Sequence, residues 1–473
     1  MQSVELALDL GKAAGRRKTI HRRLFDQLRA AVLDGRLLSG ERLPSTRELS
    51  ERLSIARNTA ARVYEDLIAA GYAEGRAGSG TFVSSAVMPP QQRQPRRRPE
   101  AAPPPFARPA VAFDFRPGTP DWDAFPRALW LRLLGRALRR NAAELSRYGE
   151  PAGYFPLRRA IAQHLAISRG VNAQPEQVVI VNGSQQAINL IARGLLGSGD
   201  RVAVEDPGYP DARRNFAAVG ARLVPLRVDR NGISLDRLGP EDPRLVYVTP
   251  SHQFPTGVTL SLARRLALLR WAAASGGLIV EDDYDSELHD RSRWVESLQG
   301  LDRWQRVIYV GTFSTVLFPP LRVAYVVLPE GLVKPFVEAK LLADRQTPTL
   351  EQLALFDFIE EGHFERHLRK SRRLVILRRQ ALREAASQYL GGRVTLSEES
   401  SGMHLMMTLT SRRSLAEQER IVGRAAEMGV GIYSAAQCYT RPRKAAFVLG
   451  YAAMSPERIR EGIETLAQAL PAG

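Results

Sequence analysis

Cysteine is almost absent from this 473-residue chain: Cys438 is the only one, which excludes intramolecular disulfides and any cysteine-built metal site. No apolar run is long enough to span a bilayer, and the opening MQSVELALDLGKAAGRRKTI lacks the basic, apolar and small-residue order of a secretory signal. A soluble, cytoplasmic protein with no membrane partner is the expectation. Lysine is scarce too, with only six among 67 basic residues. No repeat occurs at solenoid spacing.

What is present is a globular composition, 44% hydrophobic and 25% charged, on a chain long enough for two or three domains. The net charge of +17 is uneven. Residues 1–112 hold 19 Lys and Arg against 11 Asp and Glu, whereas residues 113–473 hold 48 against 39. The first quarter is thus the basic part and favours a polyanionic partner. Residues 86–112, with eight prolines and five arginines, read as an extended linker. The expected organisation is an N-terminal extension over 1–19, a small domain over 20–85, the linker over 86–112, and a large domain over 113–473.

In the small domain, Leu24, Phe25, Leu28 and Val32 recur at helical spacing before Gly35, Gly40 and Pro44 break the pattern. STRELSERL then begins with a capping box, Ser45 with Glu48. After the turn SIA, RNTAARVYEDLIAAGY sets Ala60, Val63, Tyr64 and Leu67 on one face, and YAEGRAGSGTFV reads as two strands around a glycine-rich tip. This order is a winged helix-turn-helix. Such a unit sets the start of its second helix in the major groove while basic and backbone donors hold phosphates, so double-stranded DNA is the expected partner. The expected contacts are Ser45, Thr46 and Arg47 on the first helix of the pair, Arg57, Asn58, Thr59 and Arg62 on the second, and Arg76, Gly78 and Ser79 on the wing.

In the large domain, VVIV (178–181), RVAVED (201–206), RLVYVTP (244–250), GLIVEDDY (277–284) and RVIYVGT (306–312) alternate with amphipathic helical stretches. That alternation predicts an α/β domain with a largely parallel sheet and ligand groups at the carboxyl ends of its strands. Gly183, Ser184 and Gln185 sit at a helix start suited to a phosphate. Tyr209 lies on a turn where it can stack on a flat ring, and acids end a buried strand at IVEDDYD. GTFSTVLFPPLR adds the hydroxyls of Thr312 and Ser314 and Arg322 as a second phosphate anchor. Each taken singly has a structural reading; the set, in this order, suggests a binding site.

Two resemblances sharpen this. Residues 22–83, through the spacing of GRLLSGERLPSTREL and the segments RNT and GSGTFV, resemble the GntR-type winged-helix domain, except that Ala56 replaces the usual Ser cap. The whole chain, with EDDYD, GTFST and YGEPAGYFPLRRAI, resembles MocR-type regulators, in which that head is fused to a fold-type I aminotransferase-like domain. The resemblance implies pyridoxal phosphate as ligand, with Asp282 at the pyridine nitrogen, Asp283 as the lesser alternative, and Tyr284 at the ring hydroxyl. It also implies a homodimer in which Tyr148 of one chain reaches the phosphate held by the other.

One position departs from the resemblance. Thr315 stands where the family carries the lysine that binds the cofactor, and a threonine hydroxyl can neither condense with an aldehyde nor shuttle a proton as an amine does. Val448 likewise matches the arginine that grips a substrate carboxylate in amino-acid transaminases. The expectation is a DNA-binding regulator, not an enzyme, whose degenerate domain dimerises and senses a small-molecule effector, with pyridoxal phosphate held only non-covalently or absent. A dimerisation platform with an empty pocket and a working transaminase are the alternatives.

Overall fold

Residues 19–86, 111–236, 238–239, 243–289, 296–397, 402–411, 414–441 and 445–471 are described in the computed structural model, whose contacts fall into two units, Met1–Ala107 and Arg108–Gly473. The expected linker lies outside the described residues except for Ala86, Val111 and Ala112.

In the first unit the helix Ile20–Leu33 buries Leu24, Phe25, Leu28 and Val32, the stripe its spacing predicts. Thr46–Leu53 opens with the capping box. The Ser45 hydroxyl accepts from the Glu48 N–H at 3.2 Å, and the Ser45 N–H donates to the Glu48 carboxylate at 2.7 Å. Ser54, at φ 51°, then turns the chain toward Arg57–Ala69. The Tyr64 hydroxyl donates to the Pro44 carbonyl at 2.7 Å and ties this third helix to the entry of the second. Ala73–Arg76 and Gly80–Val83 pair antiparallel as the wing. Phe82 also bridges to Arg42, a third edge that no sequence pattern indicated.

Arg57–Ala69 starts at Ala56 with no side-chain cap, so its first N–H groups receive no hydroxyl of the kind that Ser45 supplies to the preceding helix. Ala56→Ser is expected to stabilise this unit by about 1 kcal/mol, measured as a rise in the denaturant midpoint of its unfolding transition. An unmoved midpoint would show that solvent already serves these groups as well.

The second unit holds an eight-stranded sheet in the order Val178–Val181, Ala324–Val327, Val307–Thr312, Leu278–Asp283, Leu245–Val248, Arg201–Asp206, Arg222–Asp229 and Gly232–Ile233. The five strands from Val307–Thr312 to Arg222–Asp229 run parallel, while Ala324–Val327 is antiparallel to both neighbours. Helices cover it, among them Ser184–Leu195 and Leu262–Ser275. Burial on both faces is why the central strands read as unbroken Val, Ile and Leu. A separate antiparallel sheet joins Val394–Leu396, His404–Leu409, Ala446–Gly450 and Tyr433–Ser434, and Phe113–Asp114 pairs in parallel with Val430–Gly431. No helix among the described residues is long and apolar enough to cross a membrane.

Candidate functional site

Two surfaces collect the sequence-predicted residues. On the first unit, Arg57, Asn58 and Arg62 are exposed and Thr59 is half-buried at the start of Arg57–Ala69. Ser45 is spent as the cap of its helix, Thr46 is half-buried, and the exposed Arg47 pairs with Glu51 at 3.0 Å. At the wing, Gly78 takes φ 72° beside the exposed Ser79. Arg76 stacks 4.4 Å from the centroid of Phe82 and pairs with Glu74 at 2.7 Å. Arg57 thus stands exposed at the helix end whose dipole also favours an anion, with the exposed Arg62 further along the same helix.

On the second unit, the predicted residues other than Tyr148 lie at or just past the carboxyl ends of four strands, Val178–Val181, Arg201–Asp206, Leu278–Asp283 and Val307–Thr312, with Arg322 just before Ala324–Val327. Gly183 precedes Ser184–Leu195 at φ 86°, a conformation that favours glycine. A Cβ there would also stand 2.3 Å from Nη2 of Arg322. The guanidinium therefore lies against the helix start and donates to the Asn182 carbonyl at 3.1 Å. Asp344 fixes this turn from below, accepting from Asn182 Nδ2 at 2.6 Å, Gln186 Nε2 at 2.7 Å and the buried Lys340 Nζ at 2.8 Å. Thr312 Oγ1 accepts from the Ser314 N–H at 3.1 Å, leaving the buried Ser314 hydroxyl without a partner. Backbone N–H groups, a guanidinium and a spare hydroxyl are a phosphate-binding combination.

Strand alternation decides between the two adjacent acids, because Asp282 and Asp283 point to opposite faces of the sheet. Asp283 Oδ2 is engaged by Arg169 Nε at 2.8 Å and by the Tyr309 hydroxyl at 2.7 Å, an ion pair that already occupies this acid, although its Oδ1, like that of Asp282, is buried without a partner. Asp282 Oδ2 accepts from the Tyr247 hydroxyl at 2.5 Å, while its Oδ1 is buried without a partner. Burial raises the Asp282 carboxyl to about 7, although the Tyr247 hydrogen bond acts the other way. A cationic N–H would satisfy that oxygen and favour its charge. Tyr209 opens Pro210–Ala218, and its hydroxyl accepts from Gln185 Nε2 at 2.8 Å. Asn215 Nδ2 donates to Gln185 Oε1 at 2.9 Å, so this side chain positions Tyr209 and leaves only its backbone to an anion.

Thr315 is buried, and its hydroxyl donates to the Tyr284 carbonyl. The Tyr284 hydroxyl donates to the His252 carbonyl at 2.9 Å. Of the lysines in this unit, Lys340 is held by Asp344, Lys334 and Lys370 are exposed, and Lys444 lies outside the described residues. Val448 packs with Ala435, Ala446, Phe254, Met406 and Tyr439. Tyr148 is 71% exposed with the Arg345 guanidinium 4.1 Å from its ring centroid, so it faces outward from its own chain. A separate cleft of about 1000 Å³, lined by Asp206, Arg227, Asp236, Tyr439 and Arg441 among others, contains none of the predicted residues.

Residues 20–83 match the family described as bacterial regulatory proteins, gntR family, and residues 130–466 match aminotransferase class I and II. The chain is 39% identical to the probable rhizopine catabolism regulatory protein MocR of Rhizobium meliloti, over 95% of this chain and 93% of that one. It is 33% identical to the HTH-type transcriptional regulator TauR of Rhodobacter capsulatus, over 97% and 98%. Among solved structures, the α-aminoadipate aminotransferase LysN of Thermus thermophilus, complexed with N-(5'-phosphopyridoxyl)-L-leucine, superposes with a TM-score of 0.70 at 32% identity. That match covers 76% of this chain and 92% of that one.

Proposed function

The chain belongs to the MocR-type regulators of the GntR family, a winged-helix head joined to an aminotransferase class I and II domain, and from that premise we propose that its second unit senses a small ligand without transaminating it. The chain is a DNA-binding transcription regulator by this membership. The observation that carries the sensing reading is Thr315, whose hydroxyl is committed to the Tyr284 carbonyl and which we match to the family's lysine position. Neither the head nor the cradle is missing; the amine is.

Pyridoxal phosphate suits the residues around it. The N–H groups following Gly183, with Ser184, Ser314 and Arg322, would hold the phosphate, and Thr312 positions Ser314 through its N–H. Asp282 would take the ring N–H with the oxygen that now lacks a partner. Tyr284 would meet the ring hydroxyl, Tyr209 would stack on the ring, and Tyr148 would reach in from a second chain of a homodimer. When bound, the cofactor supplies an aldehyde and an electron-withdrawing ring. Threonine is shorter than lysine by several atoms, so the side chain leaves room beside that aldehyde for an amino compound, free or already joined to the cofactor. With no amine to accept it, a substrate proton would stay where it is.

Thermal unfolding with and without pyridoxal phosphate tests this, since a ligand that binds only the folded state raises its stability. The cofactor should stabilise the wild type, and Asp282→Asn should weaken binding roughly 10- to 100-fold through loss of a charge-assisted hydrogen bond. The same variant has a signature without cofactor. The folded value near 7 lies above the ordinary 3.8, so the folded chain keeps a proton that the unfolded chain releases. The associated stability is full below about 4 and is lost as pH rises through 7. Above pH 7, Asp282→Asn without cofactor should therefore melt higher than the wild type. No stabilisation of the wild type at millimolar cofactor would favour the platform reading instead.

A further inference from the structure

Behind Tyr284 lies a group of side chains that the ligand pocket does not use. His252 follows the strand Leu245–Val248, Asp285 follows Leu278–Asp283, and His404 begins His404–Leu409 of the four-stranded sheet; all three are buried. His252 Nδ1 is 2.8 Å from Asp285 Oδ2, and the imidazoles of His252 and His404 have centroids 4.6 Å apart. One donor atom from each of the three lies within 4.8 Å of the others. Gly402 makes the approach possible, since a Cβ there would stand 2.0 Å from His252 Cε1.

Hydrogen-bond accounting leaves this group incomplete. Asp285 takes Nδ1 of His252 and also receives His289 Nε2 at 3.3 Å, yet Nε2 of His252 and Nε2 of His404 are both buried with no partner. Buried polar atoms seldom stay unpaired, and here two imidazole nitrogens from separate sheets do so in one place.

We propose that His252, His404 and Asp285 form a site for a divalent first-row transition ion, zinc fitting best. Two imidazoles and one carboxylate suit zinc in a four-coordinate site with one position left for water, whereas calcium and magnesium need more oxygen ligands than this group offers. The ion would replace the hydrogen bond between His252 Nδ1 and Asp285 Oδ2, and zinc–nitrogen bonds of about 2.0–2.1 Å then require that pair to part slightly and His404 to close in, by side-chain rotation. The ion would staple the carboxyl edge of the eight-stranded sheet to the four-stranded sheet, next to the Tyr284 hydroxyl, which is 3.1 Å from His252 Nδ1. The site is defined without reference to pyridoxal phosphate.

The test uses the untagged full chain, stripped with a chelator and titrated with cobalt(II) in the absence of pyridoxal phosphate, which itself binds metals. About one equivalent should bind with the visible bands of a tetrahedral nitrogen and oxygen site, and zinc should bleach them. His404→Gln and Asp285→Asn should each bind at least about tenfold more weakly. Absence of visible bands in the wild type, or folded variants that titrate like it, would overturn the site. Where circular dichroism shows that a variant does not fold, the wild-type cobalt spectrum decides alone.

Discussion

Thr315→Lys should convert a chain that releases pyridoxal phosphate on dialysis into one that retains it covalently. The position lies just past the strand Val307–Thr312 and buries its side chain beside Tyr284, while Arg322 holds its place against Gly183. A lysine there would put a primary amine among groups already suited to the phosphate and the ring, converting two weakly concentrated reactants into neighbours. After borohydride treatment and unfolding, the variant should show a mass increase of one cofactor per chain by mass spectrometry, and the wild type should show none. A folded Thr315→Lys chain that stays unlabelled at saturating cofactor would show that the pocket serves another ligand. A labelled wild type would mean that some other lysine reaches the site, against the burial of Lys340 under Asp344. Transaminase activity is not expected even from the variant, because Val448, which the resemblance matches to the carboxylate-gripping arginine of transaminases, packs among apolar side chains.

Arg57→Ala should lower operator affinity by about 1–3 kcal/mol per head, roughly 5- to 150-fold. Arg57 is the first residue of its helix and is exposed, so its guanidinium can extend into a groove at little cost in lost protein contacts. Titration of its own promoter fragment at several salt concentrations separates two roles. A base contact would relax sequence preference with an unaltered salt slope, and a phosphate contact would weaken all sequences alike and shallow the slope by about one. Unchanged affinity on all fragments would remove this helix end from the interface. In the proposed homodimer two heads act together, so effective concentration multiplies the loss on a double site.

Much of this architecture was legible because the physics was local. Val178–Val181, Arg201–Asp206 and Val307–Thr312 are short runs rich in Val and Ile that end in, or are followed at once by, polar residues, and both capping and wing signals sit within a few residues of one another. Arg222–Asp229 was not visible, since RLVPLRVD mixes arginines with an internal proline and lies toward the sheet edge, where neither is excluded. The four-stranded sheet escaped notice for a similar reason: HLMMTL is Met-rich and looks as much like helix as strand. At the site, residue types and order were readable, but commitments were not. That Gln185 serves Tyr209, and that Asp283 is taken by Arg169, depends on partners 24 and 114 residues away. His404 carried no spacing motif, and only the fold brings it to His252.

The pairing of Phe113–Asp114 with Val430–Gly431 has a consequence for synthesis. Contacts of such long sequence separation cannot form until the later segment leaves the ribosome, whereas the first unit, with its own core of Leu24, Leu28, Leu49, Val63 and Leu67, is complete once residue 86 has emerged. At about 5–20 residues per second the 345 residues between positions 86 and 431 take roughly 17–70 s. For that interval each nascent chain carries a finished DNA-reading head and an unfinished second unit. Operator occupancy by growing polypeptides would then be blind to the proposed effector, and ribosomes translating close to the regulated promoter would contribute a signal-independent background.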